Sequence, residues 1–143
     1  MKDTSLFDKI IQIVCEGEEI PFESLVGKNR KMEVVYARQL VMYFAKTMSV
    51  GSLAFIGSKF YKDHATVLHS VKTIRNYIET DRQKREEIKE YSKKFDKVKK
   101  IIAIKDQIIK LITPIIDETS KLEQRLIFIQ LTVDNLMKKI KTL

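Results

Sequence analysis

The sequence predicts an all-α protein in two parts, a small multi-helix domain followed by a long helical, coiled-coil-like extension, and three observations carry that prediction. Apolar residues recur at helical spacing through most of the chain. Between Ser52 and Ile78 a short helix, a tight turn and a second helix with a polar tip follow one another. From Val98 onward the apolar residues settle into a 3-4 register. A length of 143 residues allows a small domain with an appendage.

The elements follow in order. Thr4 or Ser5 can cap a first helix, in which Phe7, Ile10, Ile11 and Val14 share one face and which ends near Gly17. Cys15, the single cysteine, excludes an intramolecular disulfide and reads as a buried small hydrophobe. Ile20-Pro21 forces an extended step, Phe22 to Val26 can make one short helical piece, and Gly27-Lys28-Asn29-Arg30 reads as a loop. The next helix is predicted over 32–47, with Val34, Val35, Leu40, Val41, Phe44, Ala45 and Met48 on its buried side. Arg38 and Gln39 lie near its middle, at positions that core does not claim.

Ser52 is a credible cap for a short helix carrying Leu53, Ile56 and Phe60. After the turn Tyr61-Lys62, Asp63 can cap a helix over 63–78 by accepting from a free backbone N–H. Val67, Leu68, Val71, Ile74 and Ile78 then face inward, and His64, Ala65 and Thr66 stay at the tip. This is the pattern of a helix-turn-helix.

From about Arg82 to Lys100 the chain is dense in Lys, Arg and Glu, with Ile88, Tyr91, Phe95 and Val98 to bury, which reads as a solvated helix. Beyond it, one set of seam positions is Val98, Lys105, Ile112, Thr119, Leu126, Val133 and Ile140. The other is Ile101, Ile108, Ile115, Leu122, Ile129, Leu136 and Leu143. Twelve of these fourteen are apolar, which marks a helix-packing seam. Ile102, Ile104, Ile109, Leu111 and Ile116 widen it, predicting burial in a bundle of three or more helices or against a partner chain. At Pro114 the expectation is a kink, or a fresh helix with Thr113 as cap and Asp117 and Glu118 in its first turn.

The charge is unevenly placed. Lys+Arg number 27 and Asp+Glu 19. Residues 1–27 carry 2 basic and 6 acidic side chains, residues 28–100 carry 18 and 8, and residues 101–143 carry 7 and 5. A basic middle segment suits a polyanion, because neutralising phosphates releases condensed counterions. Nucleic acid is the first expectation, with an anionic membrane surface behind it. The start Met-Lys-Asp-Thr-Ser does not read as a signal peptide, and no apolar run approaches the roughly 18 residues of a membrane span. A cytoplasmic protein is expected.

Catalysis is not expected. The sequence holds no Gly-x-x-x-x-Gly-Lys-Ser/Thr loop for ATP, no believable nucleophile-and-base spacing, and only two histidines for a metal. No cofactor is implied.

The stretch Ser52-Leu53-Ala54-Phe55-Ile56-Gly57, followed by Lys62-Asp63-His64-Ala65-Thr66-Val67-Leu68-His69, resembles the C-terminal DNA-binding domain of the bacterial replication initiator family DnaA. The likeness extends upstream through Arg30 and Ala37-Arg38-Gln39-Leu40-Val41-Met42 and downstream through Lys72-Thr73-Ile74. It implies double-stranded DNA as the partner and a link to replication initiation or its regulation. The initiator's ATPase module has no counterpart here.

His64, at a helix tip, can donate to or accept from a base edge, and Ala65, where the family commonly has threonine, can offer a methyl to a thymine methyl. Thr66 can serve a base or phosphate or belong to helix-start chemistry, and Asp63 can cap the helix, accept from a cytosine amino group, or do both. The resemblance places Arg38 and Gln39 in the major groove beside the recognition helix and Arg30 in the adjacent minor groove. Lys28, Lys31, Lys46, Lys59 and Lys62 are candidates for phosphate contacts. His69 reads as a core or interhelical residue. Tyr61-Lys62 is one residue shorter than the two glycines and arginine common in the family, and Lys62 keeps the charge without arginine's fork.

Two functions stay open at this point. One is sequence-specific DNA binding at initiator-type boxes by a domain over 1–81, with the extension 82–143 pairing chains into a homo-oligomer. The other is a protein-interaction module that uses the 98–143 seam.

Overall fold

The computed structural model describes residues 4–142, and all of their regular structure is helical. The elements are α1 (Thr4–Glu18), α2 (Phe22–Val26), α3 (Met32–Thr47), α4 (Leu53–Ser58), α5 (His64–Thr80) and α6 (Arg82–Lys141). Residues through Lys99 form one compact unit and those from Lys100 a second, so the joint between α5 and α6, near the boundary expected at 81, lies inside the first unit.

The first unit is built around α3, whose Val34, Ala37, Leu40, Val41, Met42, Phe44 and Ala45 are all buried. Helix α1 lays Leu6, Phe7, Ile10, Ile11 and Val14 onto the core at the predicted spacing. It runs one residue past Gly17, where a Cβ would collide with the Tyr91 hydroxyl. Phe7 meets Phe55 and Phe60 at centroid distances of 5.9 and 6.2 Å, tying α1 to the short helix and the turn behind it.

Three helix ends share one stop. Glu19, Ser49 and Tyr61 each take the left-handed conformation, with φ of 54, 56 and 52°. The following amide then reaches back five residues, Ile20 to Cys15, Val50 to Ala45 and Lys62 to Gly57, each at 3.0 Å. A left-handed L-residue costs roughly 1–2 kcal/mol that glycine avoids, so Tyr61 holds a conformation in which glycine would be the easier residue. The shortened turn is closed all the same.

Helix α5 buries Val67, Ser70, Val71 and Ile74. Leu68, expected on that face, is 50% exposed, and His69, expected to be a core or interhelical residue, is exposed too. Successive helical residues are about 100° apart, so the buried set 67, 70, 71 and 74 leaves both neighbours outside its stripe.

Helix α6 begins as part of the first unit. In the charged stretch Arg82 to Lys100, three of the four residues expected to bury do so, Ile88, Tyr91 and Phe95, with Phe95 against Phe44 at 4.5 Å, while Val98 is half-buried. The Tyr91 hydroxyl donates to Glu18 at 2.7 Å, the Tyr36 hydroxyl donates to Glu87 at 2.9 Å, and Lys84 sits 3.8 Å above the Tyr36 ring. Burial raises the Glu18 carboxyl above the usual carboxylate range, against the lowering effect of the Tyr91 bond.

In the second unit the backbone stays helical through Pro114. Of the two expectations there, a kink or a fresh helix, the fresh helix is not formed: Thr113 donates its hydroxyl to the Ile109 carbonyl at 2.7 Å from within the helix rather than capping a new one. From Ile101 to Ile140 the seam is exposed, so the bundle its width predicts is not formed among the described residues. Leu143, its last position, lies outside the described residues.

Candidate nucleic-acid interface

The tip of α5 is fixed by its cap. Asp63 is extended (φ −82°, ψ 171°), and its Oδ1 accepts from the Thr66 amide at 2.8 Å and from the Thr66 hydroxyl at 2.6 Å. These bonds hold the Asp63 carboxyl below the ordinary aspartate range. Thr66 spends its one hydroxyl proton on Asp63, so it keeps only acceptor capacity for a ligand. His64 and Ala65, with no such engagement, are exposed at the first turn.

The turn that delivers this tip rests on Gly57. Ser52 caps α4 by accepting from Phe55, as the sequence predicts. A Cβ on Gly57 would lie 2.5 Å from the Lys62 carbonyl oxygen and 3.0 Å from that of Asp63. Only glycine lets the turn pass this close.

A second feature lies at the loop between α2 and α3. Gly27, Lys28, Asn29, Arg30, Arg38 and Lys62 line a cavity of about 280 Å³, which brings three exposed predicted cations, Lys28, Arg30 and Lys62, from two distant stretches to one concavity. A neighbouring hollow of about 590 Å³ adds Phe22, Phe60 and Tyr61 to Lys28 and Lys62. Converging cations in a concave wall raise the local potential felt by a phosphate. Lys31, Lys46 and Lys59 are exposed as well but do not line this cavity, and Lys59 lies 5.4 Å above the Phe55 ring.

Arg38 departs from its expected placement. It is only 8% exposed, although the sequence put it outside the core. Its Nε donates to the Leu25 carbonyl at 2.6 Å, and its Nη2 donates to the carbonyls of Gly27 and Asn29 at 3.2 Å and of Ser24 at 3.4 Å. Burial lowers its pKa from the usual arginine value. The guanidinium is thus committed to the backbone of the loop that carries Lys28 and Arg30, and the planar fork serves several carbonyls at once. Gln39, the next residue, remains half-buried. Helical spacing carries no sign of this role, since it depends on where the α2–α3 loop lies in space.

Arg38→Ala is expected to lower stability by about 2 kcal/mol, because bonds from a charged donor are lost and the Leu25 carbonyl, whose bond is buried, is left without it. Lysine at this position should restore less than half, since one ammonium cannot span the same carbonyls. Urea denaturation of the three proteins checks this.

Comparison with known proteins comes to the same stretch. Residues 7–74 match the family model described as bacterial DnaA protein helix-turn-helix. The chromosomal replication initiator protein DnaA of Flavobacterium psychrophilum is 44% identical over 88 residues, 61% of this chain and 18% of that protein. The same-named protein of Bacteroides thetaiotaomicron is 42% identical over 85 residues, 58% of this chain and 18% of its own length. That of Chlorobaculum tepidum is 36% identical over 90 residues, 62% and 18% respectively. The chain therefore spans about a fifth of these relatives.

Proposed function

Since residues 7–74 are a DnaA-type helix-turn-helix domain, we propose that this chain binds double-stranded DNA specifically at initiator-type boxes, in replication initiation or its regulation. The observation that carries the reading is the tip of α5, where an aspartate cap holds the backbone while His64 and Ala65 are left exposed. In this reading α5 enters the major groove, His64 meets a base edge and Ala65 a thymine methyl. Thr66, as an acceptor only, suits a cytosine or adenine amino group better than a phosphate.

Gln39 reads an adenine from α3, and Arg30 reaches the minor groove from its loop. Arg38 holds that loop instead of touching a base. Lys28 and Lys62 take phosphates at the cavity they share, and Lys31, Lys46 and Lys59 are further phosphate contacts. Asp63 remains the cap and can accept from a cytosine at the groove wall.

Fluorescence anisotropy with a duplex carrying an initiator-type box and a scrambled duplex tests this. His64→Ala should lose about 1–3 kcal/mol on the box alone, while Lys62→Ala should weaken both duplexes alike and reduce the salt slope by about 1. Equal binding of both duplexes by the parent protein would refute sequence reading. A second reading, a protein-interaction module with no specific DNA site, draws on the exposed seam from Ile101 to Ile140; it predicts no box preference at any salt concentration.

A further inference from the structure

Eighteen large apolar side chains between Ile101 and Ile140 are each 44–71% exposed. Monomeric water-soluble proteins rarely leave contiguous apolar patches beyond a few hundred Å² uncovered. The residues flanking the seam say what covers it. In the 3-4 register set by Ile112 and Ile115, Glu118, Arg125 and Lys139 flank one side, and Glu123 and Met137 the other.

A parallel pair of two copies sets each residue of the first side against the one five further along on the second copy. Glu118 then faces Glu123 of the second copy, a like-charge contact made twice. An antiparallel pair of greatest overlap has its centre between Ser120 and Lys121, the middle of residues 100–141. Most apolar seam positions then meet an apolar one: Ile112 meets Ile129 of the second copy, Ile115 meets Leu126, and Ile108 meets Val133, while Leu122 meets Thr119 and Leu136 meets Lys105. The same register sets Glu118 beside Arg125 of the second copy, an opposite-charge contact made twice. Pro114 falls two residues past Ile112, on the outward side, so it does not obstruct the seam.

We propose that residues 101–140 pair antiparallel with a second copy of this chain, and that the dimer joins two separate DNA segments. Each DNA-binding domain is attached at Lys99, so the attachment points lie at opposite ends of the pair. Some 40 helical residues at 1.5 Å each separate them by roughly 60 Å. A dimer reading half-sites on one duplex face needs about 34–36 Å, or a whole multiple of it, between its readers, and roughly 60 Å falls between one such spacing and two. The bridging half of this proposal rests on the DNA-binding reading above; the pairing half does not.

The test uses the full chain with Cys15→Ser, into which Ile112→Cys and Ile129→Cys are introduced singly. Under mild oxidation the antiparallel pair predicts that neither variant alone cross-links and that an equimolar mixture does. Cross-linking of each variant alone would establish a parallel pair, and a monomer in sedimentation with no cross-link in any arm would remove the pair altogether. Charge exchange gives a second readout. Glu118→Arg should weaken the dimer at least several-fold, and Glu118→Arg with Arg125→Glu should restore it, whereas a parallel pair would be strengthened by Glu118→Arg alone. For bridging, a biotinylated and a fluorescent duplex of the same box sequence are mixed with the cross-linked dimer. Retention of fluorescence on streptavidin supports joining of two segments. Binding of the biotinylated duplex without retention overturns bridging, and failure to bind either duplex overturns the DNA-binding reading while the cross-links still report the pair.

Discussion

A chain ended at Asp81 is expected to lose about 6 kcal/mol of stability relative to one ended at Lys99, at roughly 2 kcal/mol for each of three large side chains returned to water or uncovered. The three are Ile88, Tyr91 and Phe95, which α6 contributes at helical spacing to the same core as α3. Phe44 would lose the ring that lies 4.5 Å from it, and Glu18 and Tyr36 would lose the hydrogen bonds that link α1 and α3 to α6. Small domains hold only about 5–15 kcal/mol in total, so the shorter protein should be largely unfolded at 25 °C or nearly so. Removal of residues 100–143 should leave thermal stability within about 1 kcal/mol of the intact first unit, because none of the described side chains there is buried. Circular dichroism melts of chains ended at 81, 99 and 143 compare the three, and equal melting temperatures for 81 and 99 would refute the assignment.

The same comparison shows what sequence can carry. Helices α2 and α3 begin and end where apolar spacing and Pro21 place them, and the Ser52 and Asp63 caps make the bonds their residue types imply. Such features are local, governed by neighbours within four residues. Arg38 and Leu68 are not local. Arg38 is a long polar side chain whose destination lies 9 to 14 residues back along the chain, and Leu68 stands at the edge of a stripe whose width is set by what packs above it. Ile88, Tyr91 and Phe95 were visible as an apolar triplet in a charged helix, but only tertiary placement shows that they complete the first unit. The resemblance named the tip residues and could not say which of Thr66's hydrogen-bonding capacities the cap had already used.

Gly57→Ala is expected to cost about 3 kcal/mol, at the upper end of overpacking in a filled site, and to impair DNA binding beyond what unfolding explains. Its Cβ would stand 2.5 Å from the Lys62 carbonyl oxygen and 3.0 Å from that of Asp63, and both obstacles are backbone. No side-chain rotation can relieve them. The turn must lift, and with it the Asp63 cap that sets the direction of α5 and the reach of His64 and Lys62. Gly51 provides the control. A Cβ there would lie 2.5 Å from Cδ1 of Phe55, but that obstacle is a side chain, which can shift where backbone cannot, so Gly51→Ala should cost less than half as much. Melts and box-duplex anisotropy on both variants, read below the melting temperature of each, separate the effects: Gly57→Ala should bind at least tenfold more weakly while still folded, and Gly51→Ala should bind within a factor of about two of the parent. If the two variants bind alike, the turn does not set the reading geometry, and the tip of α5 must find its alignment on the DNA itself.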